Sequence, residues 1–142
     1  MSAFQLTRAY HFSAAHRLVS PVLLEAESER LYGPCFRPHG HNYMVEVTVA
    51  GPLDPHTGMS VDLGFLDATV ARVLLERVDH RDLSGAVPEL RGVITTGEEL
   101  ARTFWAWLEA ALPPGMLRRV AVVETAKNTF EYAGASPAPA PR

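Results

Sequence analysis

Residues 39–49 read HGHNYMVEVTV. Apolar side chains alternate with polar ones from Tyr43 to Val49, which is typical of a strand with one buried face. Because strand side chains point to opposite faces in turn, His39 and His41 share the face of the apolar residues. We therefore predict a strand whose buried face ends in two imidazoles.

The preceding apolar segment, residues 4–16, has the same pattern and also ends in a histidine. Only Arg8 interrupts its apolar face, and His16 has the parity of that face. Three histidines with one open coordination position are typical of a catalytic zinc site, whereas a structural zinc site is normally closed by four protein ligands. The pattern thus predicts zinc at His16, His39 and His41. The alternative, three unrelated members of the chain's six histidines, stays open on the pattern alone.

The rest of the chain predicts two helices and then two further strands. Asp62 is suited to cap a helix that runs to about Arg77. Thr96 and Glu99 have the spacing of a capping box that opens a second helix. The predicted strands that follow lie within 120–125 and 129–132.

The predicted order of elements is therefore ββααββ. This order favours an α+β fold, with a four-stranded antiparallel sheet and two helices on one of its faces. Residues 20–38 read as a long loop with a short helix through 25–31, and loops of this length are more often functional than idle. The open edges of such a sheet favour pairing between subunits.

Composition and charge favour a globular domain over a nucleic-acid binder or a membrane-spanning protein. The 142 residues are 47% hydrophobic and 20% charged, which is typical of a globular domain. We predict one domain over 1–133 and a disordered Pro/Ala-rich tail over 134–142. The net charge of −3 argues against a nucleic-acid binder, and no apolar run is long enough to cross a membrane. A single cysteine and the absence of a visible secretory signal predict a cytoplasmic protein.

Three further sites carry reactive side chains. Cys35, four residues ahead of His39, is either a small buried hydrophobe or a thiol that acts beside a metal. Asp79 and His80 form either a solvated helix end or a base with its orienting carboxylate. Glu124 shares a strand face with two valines. It is either solvated at the strand end or buried, and a buried carboxylate suits the paired N–H donors of a pterin or guanine ring.

These residues belong to motifs that resemble the 6-pyruvoyl-tetrahydropterin synthase / 6-carboxytetrahydropterin synthase family. The resemblance extends from about Phe4 to Tyr132. It implies the tunnelling fold (T-fold), in which subunits join their sheets into a trimeric barrel and two trimers usually stack into a hexamer. The motifs are FSAAH at 12–16, CFRPHGHNY at 35–43, DPHTGM at 54–59, VDHRDL at 78–83, TTGEEL at 95–100 and Glu124-Thr125.

The resemblance also implies a role for each candidate residue. The usual substrate of the family is 7,8-dihydroneopterin triphosphate, and the usual metal is zinc. The implied roles are zinc binding by His16, His39 and His41, catalysis by Cys35, Asp79 and His80, and pterin binding by Thr96, Glu98 and Glu124.

The family has two main branches with different products. One eliminates triphosphate and gives 6-pyruvoyl-tetrahydropterin, for tetrahydrobiopterin. The other also releases acetaldehyde and gives 6-carboxy-5,6,7,8-tetrahydropterin, for queuosine and other deazapurines. In the carboxy-forming branch three residues typically lie between the thiol and His-Gly-His, as they do here between Cys35 and His39, so we expect that branch. The alternative is the pyruvoyl-forming branch, which residues 31–35, 41–43 and 112–115 resemble more. A non-enzymatic pterin- or purine-binding oligomeric module is a further alternative.

Overall fold

The structure is a computed structural model that describes residues 4–135. Its centre is a sheet of five strands: β1 (Phe4–His16), β2 (His39–Gly51), β3 (Arg81–Asp82), β4 (Leu117–Thr125) and β5 (Asn128–Tyr132). Their order across the sheet is β3-β1-β2-β4-β5. The four long strands pair antiparallel, and β3 is parallel to β1.

The main helices begin where their caps were predicted. The Asp62 side chain accepts a hydrogen bond from the Phe65 backbone N–H at 3.1 Å, and Thr96 Oγ1 accepts one from Glu99 at 3.3 Å. These bonds satisfy N–H groups that lack a partner within the helix. The α- and π-helical segments are α1 (Glu25–Tyr32), α2 (Leu63–Val70), a π-helical turn (Ala71–Leu75), α3 (Glu76–Val78) and α4 (Gly97–Ala111).

The hydrophobic core lies between one face of the sheet and the helices. In β2, alternate residues are fully buried, as the period-two pattern predicts. Helix α4 packs against β4 and β5, while α3 contacts β1 on the same side. Phe12 stacks on Tyr43 with ring centroids 4.7 Å apart, and Phe104 of α4 meets Phe12 edge-on. The face that carries the histidines is thus the face that the helices cover.

The prediction of an α+β fold is confirmed, but its count of four strands is wrong by one. The additional strand, β3, lies in a segment predicted as a polar connection. Its two residues are too few to show a period, and it is held by backbone bonds to β1. His80 N–H donates to Ser13 O at 2.6 Å, and Leu83 N–H donates to Ala15 O at 2.8 Å. The predicted ββααββ order also omits α1 as a full element between the first two strands.

One edge of the sheet is open, and this bears on the predicted assembly. β3 pairs with β1 only at Ala14 and Ala15, so along residues 4–12 the outer edge of β1 has no strand partner among the described residues. Within 4–135, none of the helices has the length and apolarity that a membrane span requires. Most of the predicted disordered tail, residues 136–142, lies outside the described residues.

Gly97 gives a stability prediction, because the first turn of α4 contacts β5 closely. A Cβ atom on Gly97 would overlap the Phe130 ring. We expect Gly97→Ala to lower the free energy of unfolding by about 1–3 kcal/mol, the usual range for overpacking. Urea unfolding followed by circular dichroism measures it.

Gly64 in α2 is the matched control. A Cβ there meets only the Asp62 carboxylate, at 3.4 Å, which is ordinary contact. Gly64→Ala should be neutral or stabilising by up to about 1 kcal/mol, because alanine has the higher helix propensity. Equal stability of the two variants would contradict close packing at Gly97.

Candidate active site

The register of β1 and β2 brings the three predicted histidines together. His16 lies opposite His39, and Ala14 lies opposite His41, so three imidazoles project from the core face at one end of the two strands. One ligand atom from each histidine lies within 4.8 Å of the others. The ring centroids are 4.5 Å apart for His16 and His39 and 4.9 Å apart for His39 and His41. The strand pattern therefore predicted a real cluster, hereafter the triad.

Two of the triad imidazoles are oriented by carbonyl groups. His16 Nδ1 lies 3.0 Å from the Thr95 carbonyl and 3.1 Å from Thr95 Oγ1, while His39 Nδ1 lies 2.7 Å from the Arg37 carbonyl. A carbonyl can only accept, so each Nδ1 carries the hydrogen and each Nε2 keeps its lone pair. Histidine ligands of metals are commonly held in this way.

The third imidazole leaves a buried nitrogen without a partner. His41 Nε2 is the buried side-chain atom that lacks a hydrogen bond among the described residues. Glu124 Oε1 lies 3.7 Å away, which is too far for a hydrogen bond. A buried polar atom of this kind normally has a partner, and a zinc ion held by three imidazoles would supply one. The donor set of the triad therefore fits the predicted metal.

Protonation favours the same conclusion. Burial, reinforced by the neighbouring His39 and His41, lowers the pKa of His16 to about 4. Burial also lowers the pKa of His41, against the opposing charge of Glu124. Both imidazoles are therefore neutral near pH 7, and neutral imidazole is the form that binds a metal.

Glu124 borders the triad from β4. Its side chain is 17% exposed, so it is neither free in water nor fully buried. Burial and the charge of Glu124 raise the pKa of Tyr43 well above its usual range, which keeps that phenol neutral. Of the two readings of Glu124, the structure favours a carboxylate placed beside the histidines over a solvated strand end.

Cys35 lies in a short 3₁₀ turn, Gly33–Phe36, and is exposed. The Cys35 carbonyl accepts a hydrogen bond, at 2.8 Å, from the backbone N–H of Leu18, which lies two residues after His16. The Arg17 guanidinium lies over the Phe36 ring and donates to the Phe36 carbonyl at 3.1 Å. These contacts fasten the turn that carries the thiol to the end of β1, from which the triad begins. The buried-hydrophobe reading of Cys35 is therefore wrong.

Asp79 and His80 form a hydrogen-bonded pair. His80 Nδ1 lies 2.9 Å from Asp79 Oδ1, and the same oxygen accepts from the Ser13 N–H at 3.0 Å. The His80 backbone has a φ of 59°, which is uncommon for a residue other than glycine. His80 is 81% exposed, and together with His41 it lines a cavity of about 500 Å³. Among described residues, no hydrogen bond joins this pair to Cys35 or to the triad.

A sequence model of the 6-pyruvoyl tetrahydropterin synthase family matches residues 5–135. The chain belongs to this family. The human 6-pyruvoyl tetrahydrobiopterin synthase is 41% identical over 132 residues, which cover 92% of this chain and 91% of the human protein. The Drosophila melanogaster protein of the same name is 41% identical over 135 residues, which cover 93% of this chain and 80% of that protein.

A solved structure agrees with these relatives. Caenorhabditis elegans 6-pyruvoyl tetrahydropterin synthase superposes with a TM-score of 0.90 at 37% identity, over 95% of this chain and 98% of that chain. The 6-carboxy-5,6,7,8-tetrahydropterin synthase of Aquifex aeolicus is more distant, at 27% identity over 158 residues, 91% of this chain and 97% of that protein. Family membership therefore places this chain in a family of pterin synthases.

The comparisons favour the alternative branch over the expected one. The carboxy-forming prediction rested on the short spacing between Cys35 and His39, which is a single local feature. The identity with the proteins named 6-pyruvoyl tetrahydrobiopterin synthase extends over nearly the whole chain and is higher. The family relatives therefore favour the pyruvoyl-forming alternative.

Two residues that contact the triad were not predicted, and two of the predicted pterin contacts make no hydrogen bond to it within residues 4–135. Thr95 and Tyr43 both contact His16, the latter through its hydroxyl at 3.2 Å from Nε2. Thr96 instead caps α4, and Glu98 is exposed in the first turn of that helix. The sequence signal for Tyr43 was its parity with His41, whereas nothing in the sequence joined Thr95 to His16.

Proposed function

We propose that the protein is a zinc-dependent 6-pyruvoyl-tetrahydropterin synthase that acts on 7,8-dihydroneopterin triphosphate and releases triphosphate. The observation that carries the proposal is the triad itself, with an unpartnered, buried His41 Nε2 beside Glu124. Three imidazoles form an open metal site, and a carboxylate at its border suits a pterin ring. Family membership supports the same reaction class.

The triad would hold zinc through one nitrogen from each histidine, with Thr95 and Arg37 fixing the rings of His16 and His39. When bound, zinc supplies Lewis acidity that acidifies a side-chain hydroxyl of the substrate and stabilises developing negative charge. The protein's own contribution is orientation, because carbonyl acceptors already set two of the imidazole planes.

Glu124 would bind the pterin ring. Its two oxygens can accept two parallel N–H bonds from the amino group and the adjacent ring nitrogen. Thr96 and Glu98, at the start of α4, are the proposed companion contacts.

The proton transfers would belong to Cys35 and to the Asp79–His80 pair. Cys35 moves the proton on the carbon beside the ring, and His80 exchanges protons at the next side-chain carbon. Asp79 holds His80 through the Nδ1 bond and so leaves Nε2 for the exchange. The ring gains the two hydrogens that the first carbinol loses, and triphosphate leaves from the end of the side chain. No external oxidant or reductant is required.

The proposed enzyme is a homo-oligomer, a hexamer built as a dimer of trimers, in the cytoplasm. The unpaired outer edge of β1 supports assembly, because exposed strand edges normally find partners. Light scattering compares the particle with the 15.6 kDa chain.

Product analysis tests the proposal directly. Zinc-loaded protein incubated with 7,8-dihydroneopterin triphosphate should give 6-pyruvoyl-tetrahydropterin and triphosphate by mass spectrometry. The carboxy-forming reaction is the second candidate, favoured by the spacing from Cys35 to His39. Acetaldehyde and 6-carboxy-tetrahydropterin as main products would establish that candidate instead. Substrate binding without turnover would leave the non-enzymatic pterin-binding module.

Glu124→Gln should weaken recognition of the ring. The amide retains the shape but loses the charge and one acceptor oxygen, so we expect KM to rise about tenfold or more. Steady-state kinetics of triphosphate release measures the change.

Glu131→Gln is the control for Glu124→Gln. Glu131 lies on β5 and pairs with Arg119 at 3.1 Å rather than with the triad. The KM of the Glu131→Gln variant should therefore stay at the wild-type value. An unchanged KM in Glu124→Gln would mean that Glu124 does not bind the ring.

A further inference from the structure

Tyr43 places a phenol beside His16 of the triad. The proposed reaction assigns no role to this phenol. The residue is fully buried on β2, and its hydroxyl lies 3.2 Å from His16 Nε2. The ring stacks on Phe12 at 4.7 Å with an interplanar angle of 11°. The hydroxyl is therefore held in place by a packed ring.

The direction of this hydrogen bond follows from the other side of His16. His16 Nδ1 faces the Thr95 carbonyl at 3.0 Å, and a carbonyl only accepts. The hydrogen of the neutral imidazole therefore resides on Nδ1, and Nε2 offers a lone pair. It follows that Tyr43 donates its O–H to His16 Nε2.

The same lone pair is the one that His16 can offer to a metal. It cannot bind a cation and accept the Tyr43 hydrogen at the same time. Metal binding therefore frees a buried O–H, and within 4–135 no other hydrogen-bond partner is found for it. A buried donor without a partner is unfavourable, so the hydroxyl requires a new acceptor next to the triad.

We propose that the Tyr43 hydroxyl exchanges acceptors, from His16 Nε2 in the metal-free protein to a side-chain oxygen of the substrate at the open side of the loaded triad. This inference rests on the proposed function. In the metal-free protein, Tyr43 keeps His16 oriented. In the reacting complex it is a preplaced donor to an oxygen that gains negative charge, where such a donor is most effective.

Tyr43→Phe tests the exchange and preserves the ring that stacks on Phe12. Its zinc affinity, measured by chelator competition, should equal that of the wild type or exceed it by up to about tenfold, because one competing hydrogen bond is removed. In the same variant kcat should fall by about 10²-fold with KM changed less than about threefold, the scale for loss of one preplaced donor. Zinc affinity weakened more than about threefold, or an unchanged kcat, would overturn the proposal.

Tyr10→Phe is the matched control. Its half-buried hydroxyl donates to Asp67 at 2.7 Å, away from the triad, so zinc affinity and kcat should match the wild type. If Tyr43→Phe fails to fold, zinc added to wild-type protein should still perturb the tyrosine absorption band, and no perturbation would overturn the exchange. Wild-type protein that binds no zinc or shows no turnover would instead contradict the proposed function.

Discussion

Alanine in place of His41 is expected to abolish zinc binding. The triad offers three nitrogens, and His41 Nε2 is a buried one that has no hydrogen-bond partner among residues 4–135 to compete with the metal. Loss of a direct ligand should cost more than the roughly 10–100-fold in affinity that follows loss of an outer partner. Elemental analysis and chelator competition measure the loss, and turnover should fall with it. The fold should persist, because His41 makes no side-chain hydrogen bond within residues 4–135.

His56→Ala is the control for this prediction. His56 is exposed in the turn after β2 and lies outside the triad, so one zinc per subunit should remain. Zinc at a hundredfold excess over Kd should stabilise the control by about 2.7 kcal/mol and leave His41→Ala unaffected. Stoichiometric zinc in His41→Ala would remove His41 from the metal site.

The elements with a strong period could be predicted from the sequence. Alternation placed β1 and β2, and the parity of His16 and His41 with the buried face placed the imidazoles on one side. The caps at Asp62 and Thr96 were also predictable, because capping depends on a side chain and a backbone N–H only a few residues away. Local chemistry determined each of these features.

Features that depend on long-range packing could not be predicted. The strand β3 has only two residues and exists because β1 offers free backbone groups to it. The π-helical turn at Ala71–Leu75 lies inside a segment whose apolar pattern is equally compatible with an α-helix. For β3 the deciding partner, β1, is distant in the chain.

The site also contains both residues that could be predicted from the sequence and residues that could not. The three histidines followed from strand parity, whereas Thr95 lies 79 residues from His16 and meets it only because α4 begins beside β1. The expected carboxy-forming branch gave the three residues between Cys35 and His39 more weight than the similarity of the whole chain, and that similarity favours the pyruvoyl-forming branch. A single spacing fixes one loop, while the product depends on every group around the substrate.

Cys35→Ala is expected to lose most of the turnover and keep both fold and zinc. Removal of a group that moves a proton in the transition state typically costs about 10²–10⁴-fold in rate. The exposed side chain contributes little to packing, so the free energy of unfolding should change by less than about 0.5 kcal/mol. Zinc should remain because the triad consists of histidines alone. Steady-state kinetics, elemental analysis and urea unfolding measure the three quantities.

Cys35→Ser sharpens this test, because it keeps a polar group of similar size in the same 3₁₀ turn. A hydroxyl is a far weaker acid than a thiol, so serine cannot supply a comparable base near neutral pH. We therefore expect Cys35→Ser to be nearly as impaired as Cys35→Ala. Restored turnover in the serine variant would mean that Cys35 acts by hydrogen bonding alone, and near-normal turnover in both would exclude it from the reaction. Because His41→Ala should lose zinc while the Cys35 variants retain it, the pair separates metal binding from proton transfer in one set of measurements.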